Sequence, residues 1–362
     1  MSHSVKNISS RVSPKSNPTT GIAHPKIDGA GIPFPDAFST RACHTGEMRI
    51  LVIGGSGFIG EEIVLRLLRA GHQVRVMGRG RRRPGVESVL GDVGDPAALQ
   101  AACLGCDAVY YLAGIIAEVG SQTYERVHHV GVLNGLAAAR AAGVRRWIQM
   151  SALGTRPHAR ARYHQTKWAA EEAVRQSGFD WTIFRPSMVF GRGDAFINFF
   201  ERMSRWSPFL PLIGGGRTLF QPVAVEDVAH CFVDCLANPG TRGVTYDLCG
   251  RERWTLRAIL AEVMKVSGRR RILMPVPWPI AWMQAWLMEC IWAGVLRRRP
   301  PLNRDQLRML REDNIGDPEP ALRVFRLQPM DLATGIRRYL PVGVNRSGPD
   351  QGVAAGAGVD SV

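Results

Sequence analysis

The sequence predicts a doubly wound α/β fold: a parallel sheet of about seven strands with a smaller C-terminal lobe. Three observations predict it. Short apolar runs at residues 50–53, 73–77, 86–90, 108–112, 145–150 and 180–184 read as strands, with helix-forming stretches between them. Behind the first run, Gly54, Gly57 and Gly60 recur at a fixed spacing and open an amphipathic run to residue 70. The chain of 362 residues is 45% hydrophobic, which suits one large core.

Residues 1–47 are rich in Ser, Pro, Gly and Thr and show no apolar period, so they read as a disordered N-terminal extension. Met48 stands directly before the first strand and is expected to be the natural start. Residues 48–250 carry the sheet, 251–341 the C-terminal lobe with an apolar helix at 278–296, and 342–362 a disordered Gly-rich tail. The net charge of +15 suits an anionic membrane or a phosphorylated cofactor. No nucleic-acid-binding signature accompanies it, so nucleic acid ranks last. An odd count of seven cysteines suggests reduced thiols and a cytoplasmic setting. Cys103 and Cys106 read as a helix end turning at Gly105. Cys231 and Cys235 read as core, and no spacing offers a metal site.

Strand, glycine turn and helix together form the phosphate-binding corner of a dinucleotide fold. Gly54 takes the tight turn, Gly57 lets a pyrophosphate approach the backbone, and Gly60 lets helix and strand pack closely. Ser56, Phe58 and Ile59 complete the cradle, where the helix N-terminus offers free N–H groups. The GxxGxxG spacing resembles that of the extended and atypical short-chain dehydrogenase/reductase superfamily, with its Rossmann-type sheet.

The second strand ends in Gly78 and Arg79. No carboxylate stands there to grip a ribose 2′-hydroxyl, and Arg79 can pair with a 2′-phosphate, so NADP(H) is favoured over NAD(H). Arg81, Arg82 and Arg83 read mostly as solvated charge, with one assisting at the phosphate. After the third strand come Asp92 and Val93. The superfamily resemblance implies that Asp92 meets the adenine; a cap of the helix from Pro96 is the alternative. Ala113 and Gly114 end the fourth strand and leave room for the cofactor. A long helical run to residue 142 follows, then the fifth strand and Ser151.

Tyr163 and Lys167 form a Y-x-x-x-K pair, one helical turn apart on one face. The resemblance implies that Lys167 lowers the Tyr163 pKa and holds the ribose, and that Tyr163 is the general acid or base. The extended enzymes carry a second hydroxyl after the strand-end serine; here that position is Ala152. The interval to Tyr163 is also shorter than in nucleotide-sugar epimerases and dehydratases, which disfavours that reading. Arg185, Pro186, Val189 and Gly191 form the R-P-x-x-V-x-G run of the extended branch, where it borders the nicotinamide pocket. Gln221, Pro222, Glu226 and Asp227 fit the same branch or serve as turn and cap residues.

The chain resembles the atypical dehydrogenases related to the alpha-subcomplex accessory subunit nine of respiratory complex I. The matching residues are Gly54 to Gly60, Arg79, His128, Asn134, 142–144, 150–154, Tyr163, Lys167, 181–191, 221–229, 300–306, Asp313 and Asn314. The resemblance spans residues 48–340. It implies a tightly held NADPH, which is structural in the complex I subunit, and some relatives are linked to ubiquinone biosynthesis.

Residues 272–296 hold one charged side chain, Glu289, between Arg269, Arg270 and Arg271 on one side and Arg297, Arg298 and Arg299 on the other. Trp278, Trp282 and Trp286 recur every four residues and are expected to line one helical face. Three readings stand: a helix packed in the lobe, an interfacial helix on a membrane surface, or a span of roughly 27 Å.

The expected function is an NAD(P)H-binding oxidoreductase acting on an apolar, quinone- or lipid-like substrate near the inner face of the plasma membrane. The alternative is a non-catalytic, NADPH-bearing accessory or assembly factor of a respiratory or quinone-synthesis complex.

Overall fold

The computed structural model describes residues 46–80 and 85–340. The expectations for residues 1–45, for Arg81, Arg82 and Arg83, and for the tail from 341 lie outside the described residues.

Seven parallel strands make the central sheet: β1 (Arg49–Ile53), β2 (Gln73–Gly78), β3 (Glu87–Leu90), β4 (Ala108–Tyr111), β5 (Arg146–Met150), β6 (Asp180–Pro186) and β7 (Val244–Leu248). Their order is β7-β6-β5-β4-β1-β2-β3. The order reverses between β1 and β4, so the crevice for a ligand lies at the C-terminal ends of those two strands.

Alternation along β1 explains why its run is apolar throughout. Ile50 and Val52 face one core with α1 (Phe58–Arg69), while Leu51 and Ile53 face the other with α2 (Pro96–Cys103), α3 (Gly131–Ala141) and α4 (Arg162–Arg175). All four side chains are buried. A strand covered on both faces has no solvent side to mark with polar residues.

Helix ends depart from the sequence reading in two places. The run to residue 142 opens as a π-helix, Glu125–Val130, before α3 begins. Asp92 does not cap α2; Asp95 does, accepting from the N–H groups of Ala97 and Ala98 ahead of Pro96 at the first turn. The cysteine readings hold: Cys103 ends α2, Gly105 turns left-handed, and Cys106 N–H donates to the Cys103 carbonyl. Burial pushes the Cys103 thiol up to about 12, far from a reactive thiolate. Cys231 in α6 (Val225–Asp234) and Cys235 at its C-cap are both buried.

C-terminal to β6, α5 (Phe196–Trp206) and α7 (Leu256–Val266) pack together around Ile197, Ile259 and Val263. Strands Phe209–Ile213 and Ile272–Val276 pair in parallel beside them. The apolar segment forms α8 (Trp278–Met288) and continues as π-turns, Glu289–Val295. Among the described residues no helix is long and apolar enough to cross a membrane. Trp278 and Trp282 pack with Ala281, Ala285 and Leu307, but Trp286 is 52% exposed. The expected three-tryptophan face therefore stops at two, because a four-residue step overshoots a helical turn and the drift accumulates.

Candidate cofactor and catalytic site

Each corner glycine has a distinct steric reason. Gly54 has φ +86°, and a Cβ there would stand 2.8 Å from the Ala113 nitrogen. A Cβ on Gly60 would stand 2.5 Å from the Gly54 carbonyl oxygen and 2.8 Å from the Gly55 Cα. Gly57 differs: its Cβ would meet only the Gly54 carbonyl, at 3.4 Å, and otherwise open space. Gly57 is also the N-cap of α1, and no side chain caps that end. The N-terminal N–H groups of Phe58, Ile59 and Gly60 are thus left without a side-chain acceptor, beside an opening kept clear by Gly57. That arrangement fits a bound phosphate.

The end of β2 lies against the corner. The Ser56 hydroxyl would be 3.3 Å from a Cβ on Gly78 and 3.6 Å from one on Gly80. Arg79 is half-exposed, with its Nε 3.9 Å from Asp92 Oδ2. Asp92 is already engaged: it accepts from Gly94 N–H at 2.8 Å, Gln122 Nε2 at 3.0 Å and Arg126 Nη2 at 3.2 Å. Burial alone would raise its pKa, but those bonds outweigh it and hold the carboxyl below its ordinary value. Val93 beside it is buried, and its carbonyl accepts from Asn134 Nδ2.

Lys167 and Tyr163 sit on α4 next to the β4 and β5 ends. Lys167 Nζ donates to the Met150 carbonyl at 3.0 Å and lies 3.4 Å from where a Gly114 Cβ would stand. Burial lowers its pKa to about 8, with Glu171 pulling the other way. The Tyr163 ring makes edge contacts with Tyr124, His128 and His164, and its hydroxyl makes no hydrogen bond among the described residues. Burial pushes its pKa up to about 12. Lys167 donates to the Met150 carbonyl, and burial sets the phenol.

Ser151 is buried at the end of β5. Its hydroxyl donates to Thr155 Oγ1 at 3.5 Å, and Thr155 in turn meets His164 Nδ1 at 3.2 Å. Ser151 is therefore turned into a hydroxyl–imidazole chain. Pro186 is buried at the end of β6, where its carbonyl accepts from Leu153 N–H.

Asp305, His128 and Asn314 entered the sequence reading only as points of resemblance, with no role attached. Asp305, from α9 (Arg304–Leu310), accepts from the N–H groups of both Arg162 and Tyr163 at 2.9 Å. It caps α4, whose own N-cap is Ala161. The lack of a capping residue at 161 was the one available signal. His128 accepts the Ile115 N–H on Nε2, which leaves its proton on Nδ1, facing Thr166 Oγ1 at 3.0 Å. Asn314 accepts from the Ser187 hydroxyl and donates to the Leu153 carbonyl, tying the β5 and β6 loops together. Gln221 serves as a clamp, donating to the Gly250 carbonyl and accepting from Gly316 N–H.

This geometry defines a dinucleotide-binding protein, and residues 54–239 match the family described as NAD(P)H-binding. The chain belongs to that family. It is 35% identical over 62% of its length to the mitochondrial NADH dehydrogenase [ubiquinone] 1 alpha subcomplex subunit 9 of Arabidopsis thaliana, and the match spans 60% of that subunit. It is 27% identical over 80% of its length to the 2-alkyl-3-oxoalkanoate reductase of Stenotrophomonas maltophilia, covering 98% of that protein. Among solved structures, the Thermus thermophilus UDP-glucose 4-epimerase in complex with NAD superposes with a TM-score of 0.59 at 23% identity, over 80% of this chain and 97% of that one.

Proposed function

We propose that the protein is an NADP(H)-linked reductase of an apolar, lipid- or quinone-like carbonyl compound, working close to a membrane. The carrying observation is the Tyr163 hydroxyl: protonated at neutral pH, held on a capped helix, and without a hydrogen bond among the described residues. When bound, the nicotinamide supplies the hydride. Tyr163 would give its proton to the substrate carbonyl oxygen, and the phenol would be restored from solvent. Lys167 presents a cation over the strand ends at Gly114. The uncapped α1 end, with Ser56 and Gly57, holds the pyrophosphate, and Val93, Ala113, Ser151 and Pro186 wall the groove. The 2-alkyl-3-oxoalkanoate in the name of the Stenotrophomonas relative, an alkyl-chain carbonyl compound, supports the substrate class.

Arg79 is the residue proposed to select NADP(H). Asp92 is satisfied by three other donors, which leaves Arg79 free to turn to a 2′-phosphate. Arg79→Ala is expected to weaken NADPH binding about tenfold or more, by the worth of a charge-assisted hydrogen bond, with NADH affinity little changed. Fluorescence titration of both nucleotides checks it; equal losses would remove the 2′-phosphate assignment.

Lys167 predicts the pH dependence. Its lowered pKa means the ammonium is present below about pH 8 and is lost as pH rises through that value. An anionic cofactor favours the charged form, so NADPH affinity stays flat at neutral pH and declines above about pH 8, by at most tenfold per unit. Lys167→Arg is expected to move the decline to higher pH. A Kd independent of pH through this range would detach Lys167 from the cofactor.

A second reading has a specific observation behind it. The similarity to a complex I subunit, together with Ala152 at the second-hydroxyl position, favours a non-catalytic NADPH-bearing accessory factor. The two readings separate on turnover, not on cofactor binding.

A further inference from the structure

A surface helix of a globular protein normally turns polar side chains outward. The α8 segment does the reverse. It packs inward through the fully buried Ala281 and Ala285. Ile280, Met283, Leu287, Ile291 and Val295 recur every three or four positions and are all exposed, Met283 by 63% and Val295 by 78%. Ile272 and Met274, on the strand that feeds α8 through Pro277, are exposed as well. A continuous apolar stripe of this kind marks a contact surface.

The charges around the stripe indicate what it meets. Arg297, Arg298 and Arg299 follow directly on its C-terminal end, all exposed, and among the described residues none has a carboxylate within ion-pair distance. The one acid between residues 269 and 303 is Glu289, and its carboxylate accepts from the Arg304 N–H at 2.6 Å and Nε at 2.7 Å. The stripe thus carries no uncompensated negative charge and ends in three unpaired cations. No described helix is long enough to span, so such a segment lies in the interface plane.

We propose that residues 278–299 dock the protein on an anionic phospholipid bilayer. Ile280, Met283, Leu287 and Ile291 enter the acyl boundary, and Arg297, Arg298 and Arg299 sit on the headgroups. The proposal rests on the membrane-proximal reading above and deepens it by naming the face and the lipid charge.

Flotation of the full chain with vesicles tests it, using phosphatidylcholine alone and phosphatidylcholine mixed with phosphatidylglycerol. The wild type is expected to float with the anionic vesicles and far less with the neutral ones. Replacing Arg297, Arg298 and Arg299 together by Ser is expected to weaken the partition on the order of a hundredfold, from about fivefold per arginine. Leu287→Glu with Met283→Glu is expected to abolish it even on anionic vesicles. Unchanged NADPH affinity and melting temperature in both variants exclude misfolding, since every altered side chain is exposed. A wild type that stays off anionic vesicles, or variants that float as well as the wild type, overturn the proposal; the first result would leave the face to a protein partner. Flotation needs neither substrate nor turnover, so it can fail while the reductase assay with detergent-dispersed substrate succeeds, and the reverse.

Discussion

Replacing Tyr163 by Phe is expected to lower turnover by roughly a hundred- to ten-thousand-fold while leaving NADPH affinity and thermal stability close to wild type. The site makes this substitution unusually clean. The ring sits in edge contacts with Tyr124, His128 and His164, all of which a phenyl ring keeps. The cap from Asp305 reaches the backbone N–H of residue 163, not its side chain. The hydroxyl makes no hydrogen bond among the described residues, so its removal orphans no buried partner. Only a step that needs the phenolic proton can register the change. NADPH oxidation with long-chain ketones and quinones, set beside complementation of a deletion strain, reads the result. If Tyr163→Phe complements fully while a variant of the glycine corner does not, the reductase reading fails and the NADPH-bearing accessory factor stands.

The fold was legible because its signals are local. Six strands announced themselves as short apolar runs, and β1 could be apolar throughout because Ile50 and Leu51 face different cores. The glycine corner was legible for the same reason: its strand, turn and helix are contiguous. What stayed hidden was carried by distant partners. Asp305 caps a helix 142 residues earlier in the chain, and no pattern around Tyr163 points to it beyond the uncapped Ala161. The alternative reading of Asp92 as a helix cap fails because Asp95 stands at the cap position, and three side-chain and backbone donors fix the place of Asp92. The Tyr163 pKa followed from burial, which spacing does not record. The tryptophan period was real in sequence but too long for one face of a straight helix, and only packing against Leu307 decided which two residues turned inward.

Two alanines in the corner are expected to separate cofactor binding from folding. Gly60→Ala would bring a Cβ to 2.5 Å from the Gly54 carbonyl oxygen and 2.8 Å from the Gly55 Cα. Both are backbone atoms of the turn, so neither can swing aside, and relief requires α1 to move off β1. Overpacking of that kind costs about 1–3 kcal/mol or more. Gly60→Ala should therefore lower the melting temperature of the apo protein and lose NADPH together. Gly57→Ala meets only one contact, at 3.4 Å, on a residue whose φ of −84° any side chain tolerates. Its stability cost is limited to a poorer N-cap, about 1 kcal/mol or less. The new methyl group, however, stands in the opening over the free N–H groups of α1. NADPH affinity is expected to fall at least tenfold, the scale of a lost charge-assisted bond to phosphate. The thermal shift that saturating NADPH gives the wild type should shrink in proportion to the logarithm of that loss. Apo melting temperatures and NADPH-induced shifts, measured on both variants, make the comparison. Equal destabilisation of the two apo proteins would mean that Gly57 is needed by the turn itself, and the opening at the helix end would no longer be assigned to a phosphate.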